Sequence, residues 1–252
     1  MKQPVVFRDL GQMDYKSAWD YQESLLQENV RIKSEFKSQM SEVESIQPGP
    51  LTTHYSPLTN PETQNYFLLV EHPLVFTLGK SGNISNVLLS EERLKEKGIE
   101  FFRTNRGGDI TFHGPQQIVG YPVLDLEKFD TDIGHYLRNL EEIIILTLAE
   151  YGIKAGRSKG ETGVWIDAGV RGRERKICAI GVRCSRWITM HGFAFNVNTD
   201  LSYFNYIIPC GIQNKQVTSL QKELGVETDL NEAKEKVKRN FEKVFNVEFI
   251  RN

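Results

Sequence analysis

Between Thr162 and Val197 the sequence carries three strand-like apolar runs, Thr162 to Asp167, Lys176 to Arg183 and Trp187 to Val197, with no helical pattern between them. Strands joined by short connections must pair antiparallel, because a parallel return needs a crossover of a dozen or more residues. The intervening Ala168 to Arg175, AGVRGRER, reads as an exposed hairpin loop. Further strands are predicted at Tyr66 to Glu71 and Leu74 to Leu78, parted by His72-Pro73, and at Ile99 to Arg103 and Ile118 to Leu126. Helices are predicted from Ser17 to Gln39, where Ala18, Tyr21, Leu25, Ile32 and Phe36 share one face, and from Asp132 to Tyr151, stopped by Gly152. A shorter helix begins at Ser90 and ends at Gly98, and another occupies the tail from Asn231, followed by a strand at Val247 to Ile250. The fold class is therefore α+β, a mixed and partly antiparallel sheet flanked by helices.

A chain of 252 residues fits one large domain, so 1–252 is read as a single unit. The stretch 38–65, rich in Pro, Ser, Thr, Gln and Glu, reads as a loop insertion. With 31 basic against 33 acidic residues, there is no general electrostatic drive toward nucleic acid or an anionic membrane. No apolar run is long enough to span a bilayer, and MKQPVVFRDL lacks the pattern of a signal peptide, so the chain is expected to start near Met1. Three cysteines, Cys178, Cys184 and Cys210, with no C-x-x-C spacing, fit a reducing cytoplasm.

Three apparent signals fail when examined. Thr77-Leu78-Gly79-Lys80-Ser81 ends like a phosphate-binding loop, but Leu74 stands where that loop needs its first glycine. The five histidines, His54, His72, His113, His135 and His191, show no metal-ligand spacing, so no metal is assigned. Asn83-Ile84-Ser85 matches a glycosylation pattern without a secretion signal to give it meaning.

Two other segments carry more chemistry. Arg106 to Pro115, RGGDITFHGP, sets adjacent glycines beside a cation, a hydroxyl and an imidazole, which suits backbone approach to a ligand and equally suits an ordinary hairpin turn. In Ile207-Ile208-Pro209-Cys210-Gly211-Ile212 a cysteine sits between a φ-locked proline and a permissive glycine. A thiol with a free pKa of about 8.5 becomes a nucleophile only near a cation or helix N-terminus. Lys176, heading KICAIG, is one such cation, although beside Arg173 and Arg175 it also reads as a solvated strand end.

These segments resemble the lipoyl(octanoyl) transferases. The resemblance rests on RGGDITFHGPQQIVGYPVLDL from Arg106, KICAIGVR from Lys176, HGFAFNVNTDL from His191, and IIPCGI from Ile207 with the following VTSL. With LVEHPLVFTLGK around Val70, it runs almost continuously from Tyr66 to Gly225. It implies the fold shared by lipoate ligases and biotin protein ligases. Carried over residue by residue, it implies Cys210 as the acyl-thioester cysteine and Lys176 as the lysine that lowers its pKa, with Cys178 structural. It also implies substrate contact at Arg106, Gly107, Gly108, Asp109, Ile110, Thr111, Phe112 and His113, at Ala179, Ile180 and Gly181, and at Gly192, Phe193 and Ala194.

The implied reaction moves octanoyl from octanoyl-acyl carrier protein to a lysine of lipoyl domains, those of 2-oxoacid dehydrogenases and the glycine cleavage H protein, without a cofactor. Lys80, Arg103, Arg171, Arg173 and Arg175 are candidates for docking an acidic carrier. Two alternatives are an ATP-dependent lipoate or octanoate ligase, which would activate free acid, and a noncatalytic module binding carrier protein or lipoyl domain.

Overall fold

The computed structural model describes residues 2–45, 61–208 and 216–250. Strands β1 (Gln3–Gln12) and β2 (Tyr66–Glu71) run parallel, and helix α1 (Tyr15–Ser45) lies in the crossover between them. A tight turn cannot join parallel neighbours, so this leg of the chain has to pass over one face of the sheet. β1 is not foreshadowed by its sequence, because Arg8, Asp9, Gly11 and Gln12 interrupt its apolar pattern. α1 also outruns its predicted end. The polar run after Gln39 contains good helix formers and no proline before Pro48, so residues 38–45, read as the start of a loop, are helical. The rest of that predicted loop lies outside the described residues as far as position 60; positions 61–65 are irregular, with Thr63 and Asn65 buried.

After β2 come β3 (Val75–Leu78), α2 (Glu91–Glu96), β4 (Glu100–Arg103) and β5 (Ile110–His113), whose strands form a small sheet in the order β4-β3-β5. The Ser90 hydroxyl caps α2 by accepting from the amide of Arg93. The chain continues through β6 (Gln117–Val123), α3 (Ile133–Ala149), β7 (Ala155–Gly156), β8 (Val164–Ile166), β9 (Arg175–Ser185) and β10 (Ile188–Asn196). It ends in β11 (Gln216–Val217), α4 (Leu220–Leu224), α5 (Leu230–Phe245) and β12 (Val247–Ile250). Among the described residues the main sheet has nine strands, ordered β12-β1-β2-β6-β10-β9-β8-β7, with β11 beside β9. β8, β9 and β10 pair antiparallel as expected, while β12, β1 and β2 are parallel, so the sheet is mixed.

Side-chain alternation distributes the core between the two faces. Leu68 and Val70 of β2, Val119 and Tyr121 of β6 and Ala194 of β10 pack toward Ala18 and neighbouring residues of α1. Their sequence neighbours Phe67, Leu69, Ile118, Phe193 and Phe195 share the opposite core with Leu140 and Ile144 of α3 and Val237 and Phe241 of α5. Phe67 stacks on Phe241 with ring centroids 4.0 Å apart and planes 6° from parallel. Coverage on both faces explains why β2 and β6 read as continuous apolar runs rather than alternating ones.

Candidate active site

Where β6, β10 and β9 meet β5 and the first turn of α1, the fold encloses a cavity of about 660 Å³. Lys176, the loop Arg106 to Asp109, and the strand positions 179–181 and 192–194 all line it. Ile110, Thr111 and His113 line it as well. Phe112 departs from expectation. Its ring lies in the small-sheet core against Phe76, Tyr203 and Phe204, because alternation along β5 turns it away from its neighbours Thr111 and His113.

The glycine-rich loop is held by its own backbone. The amides of Gly79, Lys80 and Ser81 donate to the carbonyls of Asp109, Arg106 and Gly108, so the segment that mimics a phosphate loop spends those amides on protein. Arg106 is buried and donates through Nη2 to the Thr77 carbonyl at 2.6 Å and to Thr77 Oγ1 at 3.0 Å, and through Nη1 to the Gly107 carbonyl at 3.0 Å. Asp109 accepts from Asn86 at 2.7 Å. These side chains fix the shape of the cradle, and Gly107 and Gly108 present its main chain to the cavity.

Glycines also set how closely the strands approach. A Cβ on Gly192 would lie 2.1 Å from the Gly120 carbonyl oxygen, and one on Gly181 would lie 2.7 Å from that of Gly107. On Gly107 the nearest atom would be 3.4 Å away. Gly192→Ala is therefore expected to cost roughly 2 kcal/mol or more through overpacking against backbone, while Gly107→Ala stays within about 0.5 kcal/mol. Urea midpoints check both, and equal midpoints for the two variants would contradict the contact.

Lys176 owes its orientation to a bulge. Val164 of β8 pairs with Cys178 and Trp165 with Lys176, leaving Ile177 as an extra residue. Ile177 and Cys178 both enter the main core, while Lys176 lines the cavity with its Nζ 4.6 Å from the Trp165 ring centroid. Gly163, at φ +127°, lets this turn close over the lysine stem, and its amide donates at 3.0 Å to the fully buried Glu141. On the other side, Val217 of β11 pairs with Lys176, and the Thr218 amide donates to the Lys176 carbonyl at 2.9 Å. Cys210 lies outside the described residues. Burial pushes the Cys178 thiol far up, and the half-buried Cys184 thiol is raised by the same cause. Arg175, a docking candidate by sequence, is spent on Asp167 and Glu223.

Beside the cavity lies a buried cluster of rings of which the sequence singled out His113 alone as a site residue. Tyr15 stacks on His113 with centroids 5.9 Å apart, and His72 lies 5.3 Å from Tyr15 and 5.8 Å from His113. His72 Nδ1 meets the Met13 carbonyl at 2.8 Å, so it carries the proton, and Nε2 accepts from Tyr121 at 2.7 Å. His191 sits in the left-handed region at φ +58° inside β10, its amide donating to Gln22 and its ring facing Asn105 at 2.9 Å. Its family-motif position made it visible only as a letter in a strand. Among the described residues no group of three or more His, Cys, Asp or Glu side chains is arranged to hold a metal ion.

Burial lowers His72 to about 4, and burial followed by the charges of Arg106 and Arg183 lowers His191 to about 3. Both imidazoles are neutral in the folded chain, whereas the unfolded chain protonates them near their ordinary pKa of about 6.5. Between those values the unfolded state binds more protons, so stability is full above about pH 6.5 and falls as the pH drops toward 4 for His72 and 3 for His191. The expected loss between about pH 7 and pH 5 is on the order of 2 kcal/mol per imidazole, read as a falling urea midpoint. A flat midpoint would count against neutral burial.

Comparison with known proteins follows the same lines. The family described as lipoyl protein ligase A/B catalytic domain matches residues 51–242. An octanoyltransferase of Christiangramia forsetii is 54% identical over 249 residues, covering 98% of each chain. One from Flavobacterium johnsoniae is 54% identical over 251 residues, covering 99% of this chain and 100% of its own. Among solved structures, a putative lipoate protein ligase from T. acidophilum with bound lipoic acid superposes with a TM-score of 0.62 at 15% identity, covering 100% of this chain and 89% of that one. Lipoate-protein ligase A bound with ATP gives 0.64 at 16% identity, with 100% and 89% covered. At such identities the likeness is one of fold.

Proposed function

Since the chain belongs to the lipoyl protein ligase A/B catalytic-domain family and to its octanoyltransferases, acyltransferases that move an octanoyl group for lipoate synthesis, we propose that it works through a thioester on Cys210 assisted by Lys176. The donor is octanoyl-acyl carrier protein. The Cys210 thiolate attacks the thioester carbonyl, the carbon–sulfur bond to the carrier breaks, and the carrier thiolate takes the proton of Lys176, which is left neutral. In the second half, the neutral amine of a lipoyl-domain lysine attacks the acyl-enzyme. A carbon–nitrogen bond forms, the bond to Cys210 breaks, and neutral Lys176 accepts the amine proton. Exchange of one thioester for another is near neutral and amide formation is downhill, so no ATP and no cofactor enter.

The observation that carries this reading is the placement of Lys176 on the wall of the same largely apolar cavity that the glycine-rich cradle lines. Its volume of about 660 Å³ falls within the range of about 300–1,000 Å³ for sites that enclose small ligands. The chain flanking Cys210 supports it too, since Val217 pairs with Lys176 and Phe204 lines the same cavity. The main-chain amides of the cradle other than that of Gly107, which donates to the Val182 carbonyl, are candidate oxyanion donors. Acceptors are the lipoyl domains of 2-oxoacid dehydrogenases and the glycine cleavage H protein. Of the predicted contacts, Phe112 shapes the wall from behind, and the others meet substrate.

We place the whole activity in one catalytic domain working in a reducing cytoplasm; no helix among the described residues is long and apolar enough to cross a membrane. Intact-mass analysis after mixing with octanoyl-acyl carrier protein is the direct test. The expected result is one added octanoyl group without ATP; a requirement for free octanoate and ATP would favour the ligase reading, and no acyl-enzyme and no transfer would favour a binding module.

A further inference from the structure

Six buried groups form a continuous hydrogen-bond chain across the molecule. Arg106 Nη2 meets Thr77 Oγ1 at 3.0 Å, Thr77 Oγ1 meets His113 Nε2 at 3.4 Å, and His113 Nδ1 meets Gln117 Oε1 at 2.9 Å. Gln117 Nε2 then meets Asn196 Oδ1 at 2.8 Å, and Asn196 Nδ2 meets the Thr218 carbonyl at 3.0 Å. Thr77 and Thr218 are fully buried, and Gln117 is only 1% exposed.

The two ends fix the direction of every link. A guanidinium only donates, and a main-chain carbonyl only accepts. Gln117 Nε2 also faces the Phe112 carbonyl at 3.1 Å, so its amide orientation is set and Oε1 must face the imidazole. His113 therefore carries its proton on Nδ1 and accepts on Nε2, which makes the Thr77 hydroxyl a donor there and an acceptor from Arg106. All donors point the same way, so each bond polarises the next in a medium where water does not compete.

We infer that Gln117 and Asn196 are positioning residues: this one-way chain ties the glycine-rich loop to the backbone beside Lys176. The last link holds the Thr218 carbonyl, and the Thr218 amide in turn holds the carbonyl of Lys176. Neither Gln117 nor Asn196 needs to touch the reacting atoms; together they set the distance across the cavity between cradle and lysine. The inference rests on the proposed role of Lys176, and misplacing such a group by about 1 Å costs on the order of a hundredfold in rate.

The test uses the full chain. In the native protein, nitrogen NMR of labelled histidine is expected to show His113 as a neutral ring protonated on Nδ1; a ring protonated on Nε2, or on both nitrogens near neutral pH, overturns the chain. Gln117→Leu is expected to release that tautomer and lower kcat about tenfold or more with KM for octanoyl carrier within about twofold. Thr147→Val, which removes a buried hydroxyl between α3 and α5, is the control for lost stability alone. If Gln117→Leu keeps kcat within about twofold of that control, the positioning role is wrong.

Should Gln117→Leu not fold, Asn196→Asp decides instead. It keeps the acceptor toward Gln117 and removes the donor to Thr218, so kcat falls with the His113 tautomer unchanged, or the inference fails. A native chain that shows the tautomer and loses octanoyl transfer in Gln117→Leu, yet never forms an acyl-enzyme, rejects the Cys210 thioester and leaves the positioning role standing.

Discussion

Cys210→Ser and Cys210→Ala are expected to take up no octanoyl group from octanoyl-acyl carrier protein and to transfer it at least about a thousandfold more slowly than the parent chain. Cys178→Ala is expected to keep both the adduct and most of the rate. The contrast follows from the environments available to a thiol in this fold. Cys178 sits in the main core on the far side of the β9 bulge, where burial holds it protonated, and a protonated thiol is a poor nucleophile. Proteolysis and mass spectrometry of the acyl-enzyme locate the adduct; octanoyl found on Cys178 would reject the assignment.

Lys176 variants separate the two half-reactions. Lys176→Ala is expected to lose roughly 10²–10⁴-fold in transfer, the usual worth of a positioned acid–base group, and to let the apparent pKa of Cys210 rise toward about 8.5. Lys176→Arg keeps a positive charge beside the cavity but cannot shed its proton, so it supports the thiolate and not the final proton transfer. That variant is expected to accumulate octanoyl-enzyme and stall there. Thiol titration by alkylation and single-turnover mass analysis read the two effects. An unchanged titration of Cys210 in Lys176→Ala would remove lysine from the first step.

Much of the sheet was legible because its strands obey simple patterns. β8, β9 and β10 follow one another without helical spacing, and α3 and α5 announce themselves by one apolar face. β1 stayed hidden because its partners, β2 and β12, are far away in sequence, and only their pairing makes sense of its polar interruptions. The site divides in the same way. Lys176 and the glycine-rich loop stand in motifs, whereas Tyr15, His72 and Tyr121 become part of the cavity region only when α1 and β2 are folded over β6. The bulge at Ile177 has no signature in composition, yet it decides that the lysine lines the cavity while Cys178 enters the core. Phe112 is the reverse case, a residue inside a motif whose ring packs in the small-sheet core.

The contacts of Gly181 and Gly192 have a bearing on how this cavity can change. Where main chain rests directly on main chain, there is no soft layer of side chains to yield. The cavity cannot gain space by prising β10 from β6 or the loop from β9; room has to come from trimming residues such as Tyr15 or Val119. The size of the cavity is thereby set by a handful of replaceable side chains on an unyielding frame.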